Sequence, residues 1–192
     1  SLALINTVAA GAAAMLGWLA VEVLRDGKGT SFGAASGVVA GLVAITPSCG
    51  SVSPMGALVV GTVAGAICAF AIGLKFRLGY DDSLDVVGVH MVGGIIGTLL
   101  IGLLASNTAI ELLGFGQAGL FYGGGLDQLG KQVVAAAVVL VYAFTCTYLI
   151  ATVIDKLIGL RVDEEHEVAG IDQVEHLETA YDHAGSTTGG LG

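Results

Sequence analysis

The 192-residue chain is 55% hydrophobic and only 12% charged, with a mean hydropathy of +0.87. This composition excludes an ordinary soluble domain and a soluble enzyme. The 31 glycines favour a bundle of membrane helices, because glycine lets helix backbones approach closely in lipid. Half of the 16 carboxylates follow Arg161, so the net charge of −9 belongs largely to the end of the chain. No basic, aromatic-interleaved stretch indicates a nucleic-acid partner.

Five apolar runs are long enough to cross a bilayer, whose hydrocarbon core of about 30 Å needs roughly 20 helical residues. They predict an all-α, polytopic membrane bundle with five transmembrane helices, at residues 2–24, 31–49, 55–74, 83–105 and 132–154. The first run lacks the cationic start and the cleavage pattern of a signal peptide. A chain that opens directly on such a run is expected to be a piece of a longer protein.

Glycines recur at four-residue spacing in two of these runs. Gly33, Gly37 and Gly41 form one stripe, and Gly61 and Gly65 form another. Each stripe predicts a surface on which a neighbouring helix packs closely. The three single cysteines, Cys49, Cys68 and Cys146, are interpreted as small core residues rather than redox or metal groups.

Pro47 predicts that the second helix ends or breaks near Thr46. Such an end leaves backbone carbonyls free, and two interpretations follow. The carbonyls line a polar cavity, or the break marks the membrane interface and nearby serines cover it. The serines are Ser48, Ser51 and Ser53.

His90 is a single histidine inside the fourth run, roughly 10 Å past Ser83 along a helix. An ionisable side chain at that depth is a candidate for a solute pathway, whereas a neutral imidazole can also join two helices by a hydrogen bond. Ser83 is predicted to cap this helix, with Asp85 complementing its positive end. Residues 106–130 are predicted to be a linker, and the glycine triplet within it lacks the context of a phosphate loop.

Six of the seven lysines and arginines follow the first, third and fifth runs, and only Lys131 lies on the other side. This positive-inside bias predicts a cytoplasmic C-terminus. The domain prediction is a transmembrane part at residues 1–158, a cytoplasmic regulatory segment at 159–183 and a disordered end at 184–192. The histidines of that segment, at 166, 176 and 183, are too widely spaced to favour a metal site over a solvated acidic tail.

Three ordered motifs resemble the ammonium transporter (Amt/MEP/Rh) family: GLVAITPSCG at residues 41–50, DVVGVH at 85–90 and GLRVDEEHEVAGIDQVEHLETAY at 159–181. The resemblance implies an eleven-helix fold of two inverted five-helix repeats and a long final helix. It also implies a homotrimer in the cytoplasmic membrane, with one pore per subunit. The five runs correspond to the last five helices of a bacterial-type member.

The resemblance implies transport of ammonium or ammonia through a narrow apolar pore with histidine-assisted deprotonation, and no enzyme activity, catalytic residue, cofactor or metal. His90 corresponds to the second of two pore histidines. Val86, Ser36 and Val39 are the other pore-lining candidates. The first histidine, the aromatic cage and the gate phenylalanines belong to helices outside this chain. A Rh-like channel for another small neutral solute and an ammonium-sensing scaffold without transport are the alternatives.

The tail of the family is a regulatory segment that binds a PII-type signalling protein. The matching positions here are Gly159, Arg161, Glu165, Gly170, Asp172, His176 and Tyr181. Leu177 stands where many relatives have glycine, and Ile171 replaces a common leucine, so regulation through the tail is implied less strongly than the fold.

Overall fold

The computed structural model describes residues 1–178, and these residues contain helices and no β-strand. The first three helices are α1 (Leu2–Asp26), α2 (Ser31–Ile45) and α3 (Pro54–Ala71). The others, in chain order, are α4 (Leu74–Leu78), a π-helical turn (Val86–Met91), α5 (Val92–Leu104), α6 (Asn107–Leu113), a short 3₁₀ turn (Leu120–Tyr122), α7 (Asp127–Ile158), α8 (Glu164–Ala169) and α9 (Ile171–Glu175). The predicted Tyr181, His183 and disordered end lie outside the described residues.

A helix occupies each of the five predicted spans. Four stretches of the described chain are long and apolar enough to cross a membrane: Leu2–Asp26, Pro54–Leu78, Val86–Leu104 and Asp127–Ile158. The helix in the remaining predicted span, α2, has 15 residues and is about 22 Å long, which is shorter than a full membrane crossing. Its helix ends at Ile45, one residue before the predicted break.

The described residues divide into two units, Ser1–Leu140 and a second unit that begins at Val141. In the first unit, the centre is formed by α1, α2 and α3, with small residues at their crossings. A Cβ atom added at Gly41 or Gly61 would collide with the backbone of Ala10, and one at Gly65 would collide with that of Ala14. Both predicted glycine stripes are therefore confirmed as surfaces of close helix contact.

The helix α5 also packs on this core through a glycine that allows close backbone contact. A Cβ atom added at Gly97 would collide with the carbonyl of Ala44 in α2. Two groups of buried side chains fill the space between the helices, and the largest members are Trp18, Ile45, Val52 and Val60. Cys68 belongs to this core as predicted, while Cys49 and Cys146 are only half-buried.

The break after α2 is closed by a buried side chain of α1. Asn6 is fully buried, and its Nδ2 donates hydrogen bonds of 2.8 Å to the carbonyls of Cys49 and Val52. Ser48 Oγ donates to the Ile45 carbonyl at 3.4 Å, whereas Ser53 Oγ accepts from an N–H group and caps α3. The serine interpretation is thus partly correct, but an asparagine 43 residues earlier holds the loop.

The predicted linker at 106–130 contains helical structure. Ser106 caps the short helix α6, accepting a hydrogen bond from Ala109 N at 3.3 Å, and its own N–H donates to the Ser51 carbonyl at 2.9 Å. These bonds tie the segment to the loop after α2. A linker prediction based on mixed polarity missed this short helix because the cap and only two helical turns mark it.

The long helix α7 begins five residues earlier and ends four residues later than the predicted span. None of its 32 residues is buried within the described structure. In the second unit, α7 continues from Val141 to Ile158 and is followed by the short helices α8 and α9.

Candidate functional site at His90

The segment leading to His90 begins with three carboxylates, at residues 81, 82 and 85, and continues into the apolar run VVGVHM. This run, Val86–Met91, forms a π-helical turn at the start of α5. We refer to it as the π-turn. A π-helical turn is less favourable than an α-helical one and is frequent at functional sites. The surrounding residues must therefore stabilise it.

Asp82 caps the π-turn. Its carboxylate oxygens accept hydrogen bonds from Val86 N at 2.7 Å and from Val87 N at 2.9 Å. The prediction that Ser83 caps this helix is wrong. A carboxylate one residue earlier reaches two backbone N–H groups at once, and charged acceptors make the stronger bonds at a helix start.

Asp85 adopts a left-handed conformation with φ of 56°, which is uncommon for a residue other than glycine. Its Oδ1 lies 2.7 Å from Lys75 Nζ of α4, and the two side chains are only 17% and 16% exposed. Lys75 Nζ also donates to the Asp82 carbonyl at 2.9 Å. One ammonium group therefore binds both residues that start the π-turn.

The back of the π-turn rests against α3. Gly88 is buried, and a Cβ atom there would lie 2.9 Å from Ile72 Cα, so the two backbones are in direct contact. The Cys68 thiol, also in α3, donates to the Val89 carbonyl at 3.8 Å. Glycine is required at position 88 because no side chain fits between the turn and the helix.

The front of the π-turn carries the predicted site residues. His90 and Val86 are four residues apart and both are exposed, Val86 by 50%. In α2, which also contacts the π-turn, Val39 is 40% exposed and Ser36 is half-buried. No hydrogen bond joins these four side chains in the described part of the chain. Their shared role in a pore stays a prediction.

The arrangement offers limited chemistry. An imidazole can accept, hold and release one proton near neutral pH. Beside His90 the exposed neighbours are the apolar Val86 and Met91. Within residues 1–178 no group of three histidine, cysteine or carboxylate side chains is placed to hold a metal ion.

The predicted regulatory segment has its own local order. Arg161 donates to both carboxylate oxygens of Glu167, with distances of 2.9 and 3.0 Å. This bonded guanidinium lowers the pKa of the Glu167 carboxyl from its usual value. Gly159 and Gly170 have positive φ angles of 82° and 100°, which glycine adopts without strain.

Most other predicted residues of the segment are accessible. Glu165, Asp172 and His176 are exposed, as are four apolar side chains of the same segment: Leu160, Val168, Ile171 and Leu177.

Sequence reasoning missed a polar network at the other end of α1. Glu22 is 8% exposed and accepts hydrogen bonds from Trp18 Nε1 at 3.1 Å and from Thr30 N at 2.8 Å. Thr30 in turn caps α2 through Gly33 N. The available signal was a carboxylate inside an apolar run, where an ionisable residue needs specific partners. Lys75 was counted only as a loop cation.

The model of the Ammonium Transporter Family matches residues 1–181 of the chain. The chain belongs to this family. An ammonium transporter of Mycobacterium tuberculosis (strain ATCC 25618 / H37Rv) is 58% identical over 182 residues, which cover 94% of this chain and 38% of that protein. The ammonium transporter Amt1 of Archaeoglobus fulgidus is 37% identical over 179 residues, 93% of this chain and 44% of that protein.

Solved structures of the family agree with this fold. Saccharomyces cerevisiae Mep2 matches with a TM-score of 0.79 at 32% identity, covering 85% of this chain and 37% of that one. A structure described as a sensor Amt protein matches with a TM-score of 0.78 at 29% identity, covering 91% and 41%. The family and the apolar helices identify a multi-pass membrane protein. The chain spans about two fifths of the length of these relatives.

Proposed function

We propose that this chain forms the last five membrane helices of an ammonium transporter, in which His90 assists deprotonation of ammonium along a narrow apolar pore. The observation that carries the proposal is His90 itself, which is exposed on an apolar π-turn whose other side is packed against α3. Family membership supplies the substrate class.

The proposed chemistry is a proton transfer. An ammonium ion loses one proton to a neutral imidazole, the N–H bond breaks and its electron pair remains on nitrogen. The proton forms a new N–H bond on the imidazole, which later releases it to water and becomes neutral again. Ammonia crosses the apolar section as a small neutral molecule and takes a proton from water on the other side. A hydrated potassium ion has no such route, because an apolar lining offers no replacement for its hydration shell.

The proposed assembly of the complete protein is based on its membership of the family. The complete protein would have eleven membrane helices, form a homotrimer and supply a second histidine beside His90 from a helix outside this chain. Residues 1–158 would belong to the transmembrane domain, with Val86, Ser36 and Val39 lining the pore beside His90. The grouping of six cations on one side supports a cytoplasmic C-terminus in the cytoplasmic membrane.

Residues 159–183 would form the regulatory segment, with a PII-type signalling protein as partner. The exposed apolar side chains of the described tail support a docking role. The likeness to a sensor Amt protein supports a second candidate, an ammonium-sensing scaffold in which the tail acts and the pore does not conduct.

Uptake of labelled methylammonium by cells tests the proposal, with the protein expressed from its complete native reading frame. Wild-type uptake that ammonium competes away is the expected result. We expect His90→Ala to lower the maximal rate at least tenfold, since general acid–base groups contribute about 10²-fold or more.

Met91→Leu is the matched control, because it alters an exposed side chain of the same π-turn without changing its polarity. It should keep most of the uptake. Wild-type protein that binds ammonium and never transports methylammonium would contradict the pore and favour the sensing scaffold.

A further inference from the structure

The start of the π-turn is held by an enclosed ion pair that the transport chemistry does not use. The Lys75–Asp85 pair measures 2.7 Å, with both side chains less than 20% exposed. The Lys131–Asp127 pair in the same unit is equally short at 2.6 Å, but its side chains are 61% and 59% exposed. Exposed pairs contribute little because water competes for both charges, whereas removing one partner of an enclosed pair leaves the other charge uncompensated.

The backbone around this pair would not keep its conformation unaided. Asp85 occupies the left-handed region, and the π-turn that follows has a less favourable hydrogen-bond pattern than an α-helix. Lys75 binds the Asp85 carboxylate and the Asp82 carbonyl, while the Asp82 carboxylate caps the turn. Lys75, Asp85 and Asp82 form one connected group, which we call the clasp: Lys75 joins the Asp85 carboxylate to the Asp82 backbone carbonyl.

We infer that Lys75 is a positioning residue for His90, and this inference rests on the proposed transport function. Its ammonium group holds Asp85 and Asp82 so that the π-turn presents His90 on the open face. If the turn relaxed into the α-helical register, its side chains would rotate relative to α5 by up to about 100°, the angle of one helical residue. His90 would then leave the position from which it accepts a proton.

The clasp acts through geometry and not through contact with the substrate. Loss of Lys75 should therefore reduce the rate of the step at His90 and leave capture of the cation nearly unchanged. A displacement of about 1 Å at a reacting group can cost up to about 10²-fold in rate.

The test replaces Lys75 by methionine, which keeps the apolar stem and removes the charge, in the protein expressed from its complete native reading frame. Arg77→Met is the matched control, because Arg77 is an exposed cation on the same short helix. Per folded molecule, we expect Lys75→Met to lower maximal methylammonium uptake about tenfold with the half-saturation concentration changed less than twofold. Lys75→Arg should retain at least half of the rate.

A second readout is the reaction of His90 with diethylpyrocarbonate, measured on its own peptide by mass spectrometry. Lys75→Met should change this rate at least threefold, while Arg77→Met should match the wild type. A role in stability alone would leave the His90 reaction unchanged in the folded fraction.

Wild-type uptake and wild-type His90 reactivity in Lys75→Met would overturn the inference. Asp85→Asn, which tolerates the left-handed conformation and lacks the charge, should reproduce the effect if Lys75→Met fails to fold. Failure of both variants to fold, with Arg77→Met folding normally, would assign the pair to folding and reject positioning. If the wild type itself does not transport, the proposed function fails, and the histidine reactivity still decides the role of Lys75.

Discussion

The helices α3 and α7 are both apolar and long, yet they differ completely in how they pack within this chain. Nine of the 18 residues of α3 are buried, and none of the 32 residues of α7 is. The buried face of α3 consists mainly of glycine and alanine, whereas α7 presents valine, leucine and tyrosine. In lipid, apolarity alone gives two helices no reason to associate, and small residues at the crossing supply the contact.

The largest effect should come from filling a helix crossing. Gly97→Ala places a methyl group against the Ala44 carbonyl, and since backbone atoms cannot rotate away, we expect a loss of about 3 kcal/mol of stability. Gly94→Ala, three residues earlier on the same helix, meets nothing within 4 Å and should be neutral or stabilising by roughly 0.5–1 kcal/mol.

Reversible unfolding of the purified protein in detergent measures both glycine variants. Equal destabilisation by the two substitutions would show that another segment covers the Gly94 face. It would contradict the distinction between a packed Gly97 face and an open Gly94 face of α5.

A matched pair of valines tests the contrast between α3 and α7 directly. Val60 is fully buried in α3, and Val153 of α7 is 55% exposed. Val60→Ala should cost about 2 kcal/mol through lost burial and a cavity, whereas Val153→Ala should stay within about 0.5 kcal/mol. The same unfolding assay measures both variants. An equal loss of unfolding free energy for Val153→Ala and Val60→Ala would mean that protein, and not lipid, packs on this part of α7.

The polar network of Glu22 joins α1 to α2 by hydrogen bonds in place of glycine contacts. Glu22→Gln keeps the size but offers one acceptor oxygen where two were used, by Trp18 Nε1 and Thr30 N. We expect a loss of about 1.5 kcal/mol, the scale of a hydrogen bond to a charged group. An unfolding midpoint identical to that of the wild type would show that close packing alone holds these helices.

The smallest effect concerns the tail. Since the bonded Arg161 lowers the pKa of Glu167, the ion pair stabilises the folded tail above the usual glutamate pKa. This contribution is lost as the pH falls through the lowered value. Arg161→Gln should raise the Glu167 pKa, measured by carboxyl NMR, and Lys156→Gln should not. An unchanged Glu167 pKa in Arg161→Gln would contradict the pairing of Glu167 with Arg161.

Features marked by long sequence patterns were predicted better than features marked by a few residues. Runs of 20 apolar residues and glycines at four-residue spacing extend over several turns, so four of the five spans and the crossings at Gly41, Gly61 and Gly65 were predicted correctly. The helix α2, with 15 residues, is shorter than the predicted span. The π-turn was not predicted, because its six residues fit an α-helix equally well in their pattern of polarity. The cap was assigned to Ser83 from intrinsic preference, whereas in the structure the Asp82 carboxylate accepts both N–H groups at the start of the turn.

Long-range polar contacts were equally inaccessible. The hydrogen bonds from Asn6 to the loop after α2 join residues that are separated by 43 and 46 positions in the sequence, and no local sequence pattern predicts them. His90 was singled out by its depth in an apolar run, whereas Val86, Ser36 and Val39 were chosen by resemblance. The structure places His90 and Val86 on the open face of one turn.

Gly88 has a consequence for motion. Its backbone lies directly against the backbone and Cγ2 of Ile72, so the close-packed contact leaves little room for one segment to slide past the other. While the Lys75–Asp85 pair holds the turn in register, the turn that carries His90 should therefore follow any displacement of the end of α3. In the proposed pore, opening and closing would then occur on the opposite side of the imidazole, and a signal from the proposed regulatory segment would act on that wall.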